Sequence, residues 1–339
     1  MRLDEVRELK RRLIRELASG APPSAAGAPG GGRLWPRAQP PLALGVARGA
    51  DGGHRLAVRV QRTPPGFDAV LDAALDNLAA AGRHAATIDL RLVGYVLAQH
   101  ARRGAARRRW RPLVLGCSLG HRRGRAGSLG AVVTAAAGGR ALLSCAHVLT
   151  PFPLDGHGGS GDGGVDVVAG GGIVQPAVDD GGRFPSDRVG RLLAAVGPDP
   201  RRRNRFDAAL ATLVSGVGCD ARRLPGLGRL AGVRRAPLAG GEPVYKVGRT
   251  SGVTRGRVSA VEVDGLTVSF PGGEALFDGQ FEVEPVDSGR PFSAPGDSGA
   301  LVVDEALRAV GLLFAGNGLD VSYAHPIAAV LDRLRVRLA

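Results

Sequence analysis

Aromatic residues make up only 4% of this 339-residue chain and methionine occurs once, while glycine (53) and proline (23) are abundant. That composition excludes a long helical bundle or coiled coil and favours short strands with frequent turns. No run approaches the roughly 18 consecutive apolar residues of a membrane span. The opening residues, MRLDEVRELKRRLIREL, alternate charged and apolar positions. They lack the uninterrupted apolar stretch and the small-residue cleavage site of a secretory leader. Cysteine is scarce: Cys117, Cys145 and Cys219 are odd in number and without CxxC spacing, which excludes a disulfide scaffold and a zinc ribbon. These features point to a reducing, cytoplasmic setting. With no P-loop, HExxH or dinucleotide fingerprint, no cofactor and no metal are expected.

Lysine is also nearly absent. Of 45 basic residues only Lys10 and Lys246 are not arginine. This skew, with the abundance of alanine, reads as a compositional bias. The net charge of +14 is therefore weak evidence for a nucleic-acid partner, although a basic patch would bind phosphates in a salt-dependent way. The most basic stretch, RRGAARRRWR (residues 102–111), has Trp110 as its only aromatic, where a single-strand site would stack bases on several. It reads as a solvated connector.

Hydrophobic residues at 44% and a mean hydropathy of +0.02 allow a substantial core. Residues 1–41 form a first segment. Leu3, Val6, Leu9, Leu13, Ile14 and Leu17 recur at helical spacing, and a Gly/Pro-rich linker follows. Residues 42–111 read as a small α+β domain with its basic connector. Strands at Leu42–Val46 and Leu56–Val60 flank a turn at Asp51–Gly53, a helix spans Phe67–Ala81, and a strand runs Thr87–Val93. From residue 112 to 339 short apolar runs alternate with Gly, Pro and Asp clusters, among them Ala131–Thr134, Ala208–Leu213, Val258–Val263 and Val310–Phe314. That texture predicts a β-barrel or sandwich. Residues 155–186 read as a surface excursion. Its Asp155, Asp162 and Asp166 lack the ligand order and terminal glutamate of a calcium loop. Residues 327–338 read as a terminal helix.

The sharpest chemical signal is APGDSGALVV (residues 294–303). Gly296 and Gly299 flank Asp297 and Ser298 before a strand, so the serine can sit on a tight turn with backbone N–H groups beside it. A serine hydroxyl needs a base. His147, in LLSCAHVLT, follows a strand-like run and has small Ala146 beside it. The base in turn needs a carboxylate to orient it, and Asp207, at the start of the apolar run in NRFDAALATL, supplies one. A competing serine motif, GCSLG (residues 116–120), matches a nucleophile elbow, but HRRGRAGSLG follows it instead of a helix.

The order His, Asp, Ser, with the A-H, D-A-A-L and G-D-S-G-A-L motifs, resembles the trypsin/chymotrypsin-like serine peptidases. VYKVGRTSGVTRGRV (residues 244–258) and VGLLFAGNGLDVSYAHPI (residues 310–327) are similar to strands of the same family. The resemblance covers residues 112–339. It implies a mainly β fold, a trypsin-like double β-barrel preceded here by a small α+β unit, as in bacterial, intracellular-type members. It implies His147 as general base, Asp207 as its orienting group, Ser298 as nucleophile, and the N–H groups of Gly296 and Ser298 as the oxyanion hole. It also implies Phe292, Gly316 and Tyr323 beside the substrate pocket. Phe292, standing where an acidic residue would favour Arg or Lys, suits an apolar or small side chain. Two family features are missing: Cys145 has no evident disulfide partner, and no apolar activation sequence precedes the barrel, so Asp297 must be satisfied otherwise.

The resemblance therefore implies a serine endopeptidase acting on protein or peptide substrates. The alternative is a catalytically latent trypsin-like domain that binds peptides or partners. No membrane or nucleic-acid partner is expected, and the N-terminal unit is positioned in the chain to recruit a substrate or to regulate access to the cleft.

Overall fold

The computed structural model describes residues 1–19, 42–62, 88–98, 105–135, 138–151, 171–271, 273–287 and 289–339. The expected linker, the Phe67–Ala81 helix and Asp155, Asp162 and Asp166 lie outside these residues.

The fold is mainly β and is built of two barrels, one a curled half-barrel and the other a closed ring of six strands. The first barrel is a curled sheet of β5 (Ser118–His121), β6 (Gly127–Ser128), β7 (Ala131–Ala135), β8 (Arg140–Ser144), β9 (Gly172–Val174), β10 (Arg188–Val196) and β11 (Ala208–Leu213). Their order is β7-β8-β11-β10-β9-β5-β6. The run from Gly127 to Ala135 bends so that its start pairs with β5 and its end with β8, which draws the sheet round on itself. The decoy Ser118 lies within β5, its hydroxyl donating to Asp180 at 2.5 Å, so no strand-to-helix elbow forms there. The expected surface excursion is also corrected in part. Ile173, Val174 and Gln175 are wholly buried, because β9 pairs on both sides.

The second barrel is a ring of six strands: β12 (Pro243–Gly248), β13 (Gly252–Asp264), β16 (Gln280–Pro285), β19 (Ser322–Pro326), β18 (Arg308–Gly316) and β17 (Leu301–Val303). Each pairs antiparallel with the next, and β17 returns to β12. The predicted terminal helix is shorter than expected. Helix α3 (Ile327–Leu334) stops where Arg335 turns left-handed (φ 54°). Val336–Leu338 then becomes a strand on β7 and ties the second barrel back to the first.

The N-terminal elements do not stand apart from this barrel. Strand β1 (Leu42–Arg48) pairs with β13, with β2 (His54–Val60) on its other side, and β3 (Ile88–Leu92) runs parallel to β2. Helix α1 (Leu3–Ser19) lays Val6, Leu9 and Leu13 on Leu44, Val46, Leu56 and Val58, as its three-and-four spacing requires. Glu262, in β13, has a positive φ of 53°, and the register with β1 and β16 is irregular around it. A bulge of this kind re-aims the chain. The Glu262 carboxylate takes Arg7 and its carbonyl takes the Lys10 ammonium, which also pairs with Asp264 at 2.7 Å. Hydrogen bonding thus crosses the change of sequence texture near residue 111. Among the described residues, no helix is long and apolar enough to cross a membrane.

A buried cluster joins the N-terminal strands to the barrel. Glu282 and Arg59 are both fully buried, with Arg59 Nε donating to Glu282 at 2.9 Å. Glu282 also accepts from Ser259 Oγ and from the Tyr323 hydroxyl, each at 2.7 Å, and Arg59 reaches Asp89 of β3 at 2.7 Å. Removing one member of a buried pair strands the other charge, so Glu282→Gln is expected to cost about 3–5 kcal/mol of unfolding free energy. Glu284→Gln, which loses only a half-exposed contact to Arg91, is expected to cost at most about 1 kcal/mol. Urea unfolding of the two variants checks the difference.

Candidate active site

His147 lies in a one-turn helix, α2 (Ala146–Leu149), at the end of β8. Asp207 immediately precedes β11. Because β8 and β11 are neighbours in the first barrel, the two side chains converge. The Asp207 carboxylate accepts the His147 backbone N–H on one oxygen, at 3.1 Å, and contacts ring Nδ1 with the other. Burial pushes the Asp207 carboxyl up, but the charge and hydrogen bonds of His147, with a contribution from His325, hold it below the usual carboxylate range. An ionised carboxylate at Nδ1 makes that nitrogen the donor and leaves Nε2 as the basic position of a neutral ring.

Ser298 comes from the second barrel, on the turn before β17. Gly296 has φ +96° and Gly299 φ +89°, conformations that L side chains rarely adopt. A Cβ on Gly299 would also lie 2.1 Å from Ser144 Oγ. These are physical reasons for glycine on both sides of Asp297–Ser298. The turn is braced from the first barrel. Ser128 N–H donates to the Ser298 carbonyl at 2.8 Å, and Ser128 Oγ donates to the Gly296 carbonyl at 3.1 Å while accepting from Arg249 N–H. Among the described residues, the N–H groups of Gly296 and Ser298 are not engaged by a protein acceptor.

The seam between the barrels runs through β18. Cys145 Sγ donates to the Leu313 carbonyl at 3.2 Å, and Ser298 Oγ donates to the next carbonyl, that of Phe314, also at 3.2 Å. The Phe314 ring stacks on His325, with centroids 3.9 Å apart. His325 Nε2 accepts the Asp207 backbone N–H at 3.1 Å, and its Nδ1 lies 2.6 Å from Gln280 Oε1. Burial drives the His325 pKa down to about 3 despite the charge of Asp207, so this ring is neutral and its Nδ1 is the donor. All three expected catalytic side chains are buried, with Ser298 and His147 each only 1% exposed.

Cys145, His147 and Asp207 come close enough to suggest a metal shell. The donor set does not fit one. Burial and the charge of Asp207 push the Cys145 thiol well above its usual value, its hydrogen goes to Leu313, and both Asp207 oxygens already serve His147.

Asp297 is satisfied as its sequence context demanded. It accepts from the N–H groups of Thr250 (2.7 Å), Ser251 (3.2 Å) and Ala294 (3.0 Å), and from Ser251 Oγ. The Lys246 ammonium lies 3.3 Å away, both groups being fully buried. The expected pocket residues are placed differently from one another. Phe292 packs in the second barrel's core with Val258, Phe281 and Val283, and Tyr323 is buried with its hydroxyl on Glu282. Neither ring is left free to line a cleft. Gly316 lies at the end of β18, beside Ser322.

His325, Gln280 and Lys246 are parts of the site that sequence reasoning passed over. Lys246 carried a usable signal, a lone lysine in an arginine-dominated chain. His325 carried none, since a buried histidine in a strand looks like any other.

No protein-family model matches the chain, and no curated protein matches it in sequence. Solved structures similar to it include Cellulomonas bogoriensis chymotrypsin (19% identity, TM-score 0.43) and Thermobifida fusca protease A (17%, 0.45). Nocardiopsis protease is another (19%, 0.44). Each alignment covers 67% of this chain and 98% of the other.

Two outcomes follow from the buried groups. Unfolded histidine takes up a proton near pH 6.5, whereas folded His325 stays neutral down to about pH 3. The unfolded chain therefore binds more protons in that window, and stability falls there by about 1.4 kcal/mol per pH unit as the solution is acidified. His325→Gln is expected to flatten this acid limb in urea titrations at successive pH values. Lys246→Met, which leaves Asp297 with hydrogen bonds alone, is expected to lower unfolding free energy by about 3 kcal/mol in urea titrations at neutral pH.

Proposed function

We propose that the chain is a serine endopeptidase that hydrolyses peptide bonds through an acyl-enzyme. The observation that carries this reading is the two-point hold of Asp207 on His147, by backbone N–H and ring Nδ1, which directs basicity to Nε2. In the proposed reaction His147 Nε2 takes the Ser298 proton as Oγ attacks the substrate carbonyl. The carbonyl becomes an oxyanion held by the Gly296 and Ser298 N–H groups. The imidazolium, stabilised by Asp207, gives its proton to the leaving amine as the C–N bond breaks. Water then enters by the same route, releasing the acid product and regenerating Ser298. At rest the Ser298 hydroxyl donates to the Phe314 carbonyl, so that hydrogen bond is given up as the proton passes to His147.

Protein or peptide substrates follow from this chemistry. The three cysteines are free thiols, which supports a reducing, cytoplasmic setting. The reading of the chain as a latent peptide-binding module draws support from the near-complete burial of Ser298 and His147.

A fluorophosphonate probe tests the proposal. Wild type is expected to become covalently labelled, with Ser298→Ala and His147→Ala blank. Asp207→Asn is expected to lose about 10⁴-fold in turnover of a peptide substrate. Labelling of Ser298→Ala at the wild-type rate would overturn the assignment.

A further inference from the structure

Strand β4 (Val96–Ala98) belongs to the N-terminal segment, yet it lies inside the peptidase unit. It fills the space between β18 and β14 (Leu266–Phe270), itself paired with β15 (Gly273–Phe277). On one side it is antiparallel to the end of β18, with Ala98 opposite Ala315 and Leu97 opposite Gly316. On the other it is parallel to β14, with Val96 beside Val268 and Leu97 beside Ser269. Val96 and Ala98 point inward and are buried, while Leu97 is 48% exposed. The segment is tethered at its start, where the N–H groups of Val93 and Gly94 donate to the Val60 carbonyl and Asn317 Nδ2 donates to the Val93 carbonyl at 3.1 Å.

The covered edge is the one next to the chemistry. Ala315 and Gly316 directly follow Phe314, whose carbonyl holds the Ser298 hydroxyl. By bridging β18 and β14, β4 also holds in place the hairpin that carries Phe270 and Phe277. The Phe270 ring meets His147 edge-on at 5.8 Å, and Phe277 packs on Phe314 at 4.9 Å. A three-residue strand therefore joins the hairpin to the β18 edge on the side where both catalytic candidates are buried.

We infer that Val96–Ala98 is an intramolecular pseudo-substrate. It occupies the β18 edge that an extended peptide must take by strand addition, and its departure opens the site. This rests on the peptidase reading above. The occupant also describes the ligand it excludes. A peptide in the same register runs antiparallel to β18, with apolar residues at the two inward positions, β-branched at that of Val96 and small at that of Ala98. The intervening side chain faces solvent and is unrestricted. The residue after the small one arrives opposite Phe314, beside Ser298.

The test uses the full chain and compares rates of labelling by a fluorophosphonate. Val96→Asp places a charge at a buried position of β4 and is expected to expel it, raising the rate about tenfold or more as the open fraction grows. In a Leu97→Cys/Ser269→Cys variant, oxidation links neighbouring positions of β4 and β14, outside the catalytic groups. The oxidised form is expected to label about tenfold or more slowly than the same protein after reduction. This comparison within one folded protein stands even if Val96→Asp fails to fold. Equal rates for oxidised and reduced protein, with Ser298→Ala blank, would overturn the pseudo-substrate and leave the peptidase reading standing. If no form is labelled, reduced protein and folded Val96→Asp included, the peptidase reading falls and the pseudo-substrate with it.

Discussion

Three carboxylates without solvent exposure, Asp207, Glu282 and Asp297, place the strictest demand on this structure. A buried charge is tolerated only when partners replace the water it has lost, and each of these recruits partners distant in the chain. Asp207 draws in His147. Glu282 draws in Arg59, Ser259 and Tyr323, so that the N-terminal strands become part of the barrel's own core. Asp297 draws in Lys246, Ser251 and three backbone N–H groups, fixing the turn that carries Ser298. In a chain with a net charge of +14, the organising groups are its few buried anions.

Both lysines serve such places. Lys246 and Lys10 are 0% and 5% exposed, each held against a carboxylate and a backbone carbonyl. An ammonium is a compact donor that fits where the planar guanidinium fork would need more room. That gives a physical reason for lysine at these two positions in a chain that otherwise uses arginine.

The N-terminal segment contributes through two separate edges of the second barrel. Strands β1 to β3 extend it from β13, at the bulge around Glu262, and β4 extends it from β18, beside Phe314. The first addition is clamped by α1 and by the Arg59–Glu282 pair. The second is three residues long, with one side chain half in solvent. Local stability follows the amount of buried apolar contact and protected hydrogen bonding, so the strand nearest the proposed catalytic groups is also the more weakly held of the two. Coupling between the N-terminal segment and the site thus needs no long-range pathway, because the segment supplies a neighbouring strand.

The sequence by itself determined the strand-rich class, the amphipathic face of α1, and the local patterns around His147, Asp207 and Ser298, because each is written in residues close together in the chain. Period-2 and period-3.6 patterning and glycines at positive φ are local constraints, legible without a fold. Local patterning could not show that 327–338 splits into helix and strand at Arg335, that Phe292 faces the barrel core, or that His325 backs Asp207. Those outcomes depend on which strand edge lies free and which buried group still lacks a partner. Only the tertiary structure decided that Val96–Ala98 would occupy the edge beside Phe314, since nothing in those three residues specifies a partner until the barrel presents one.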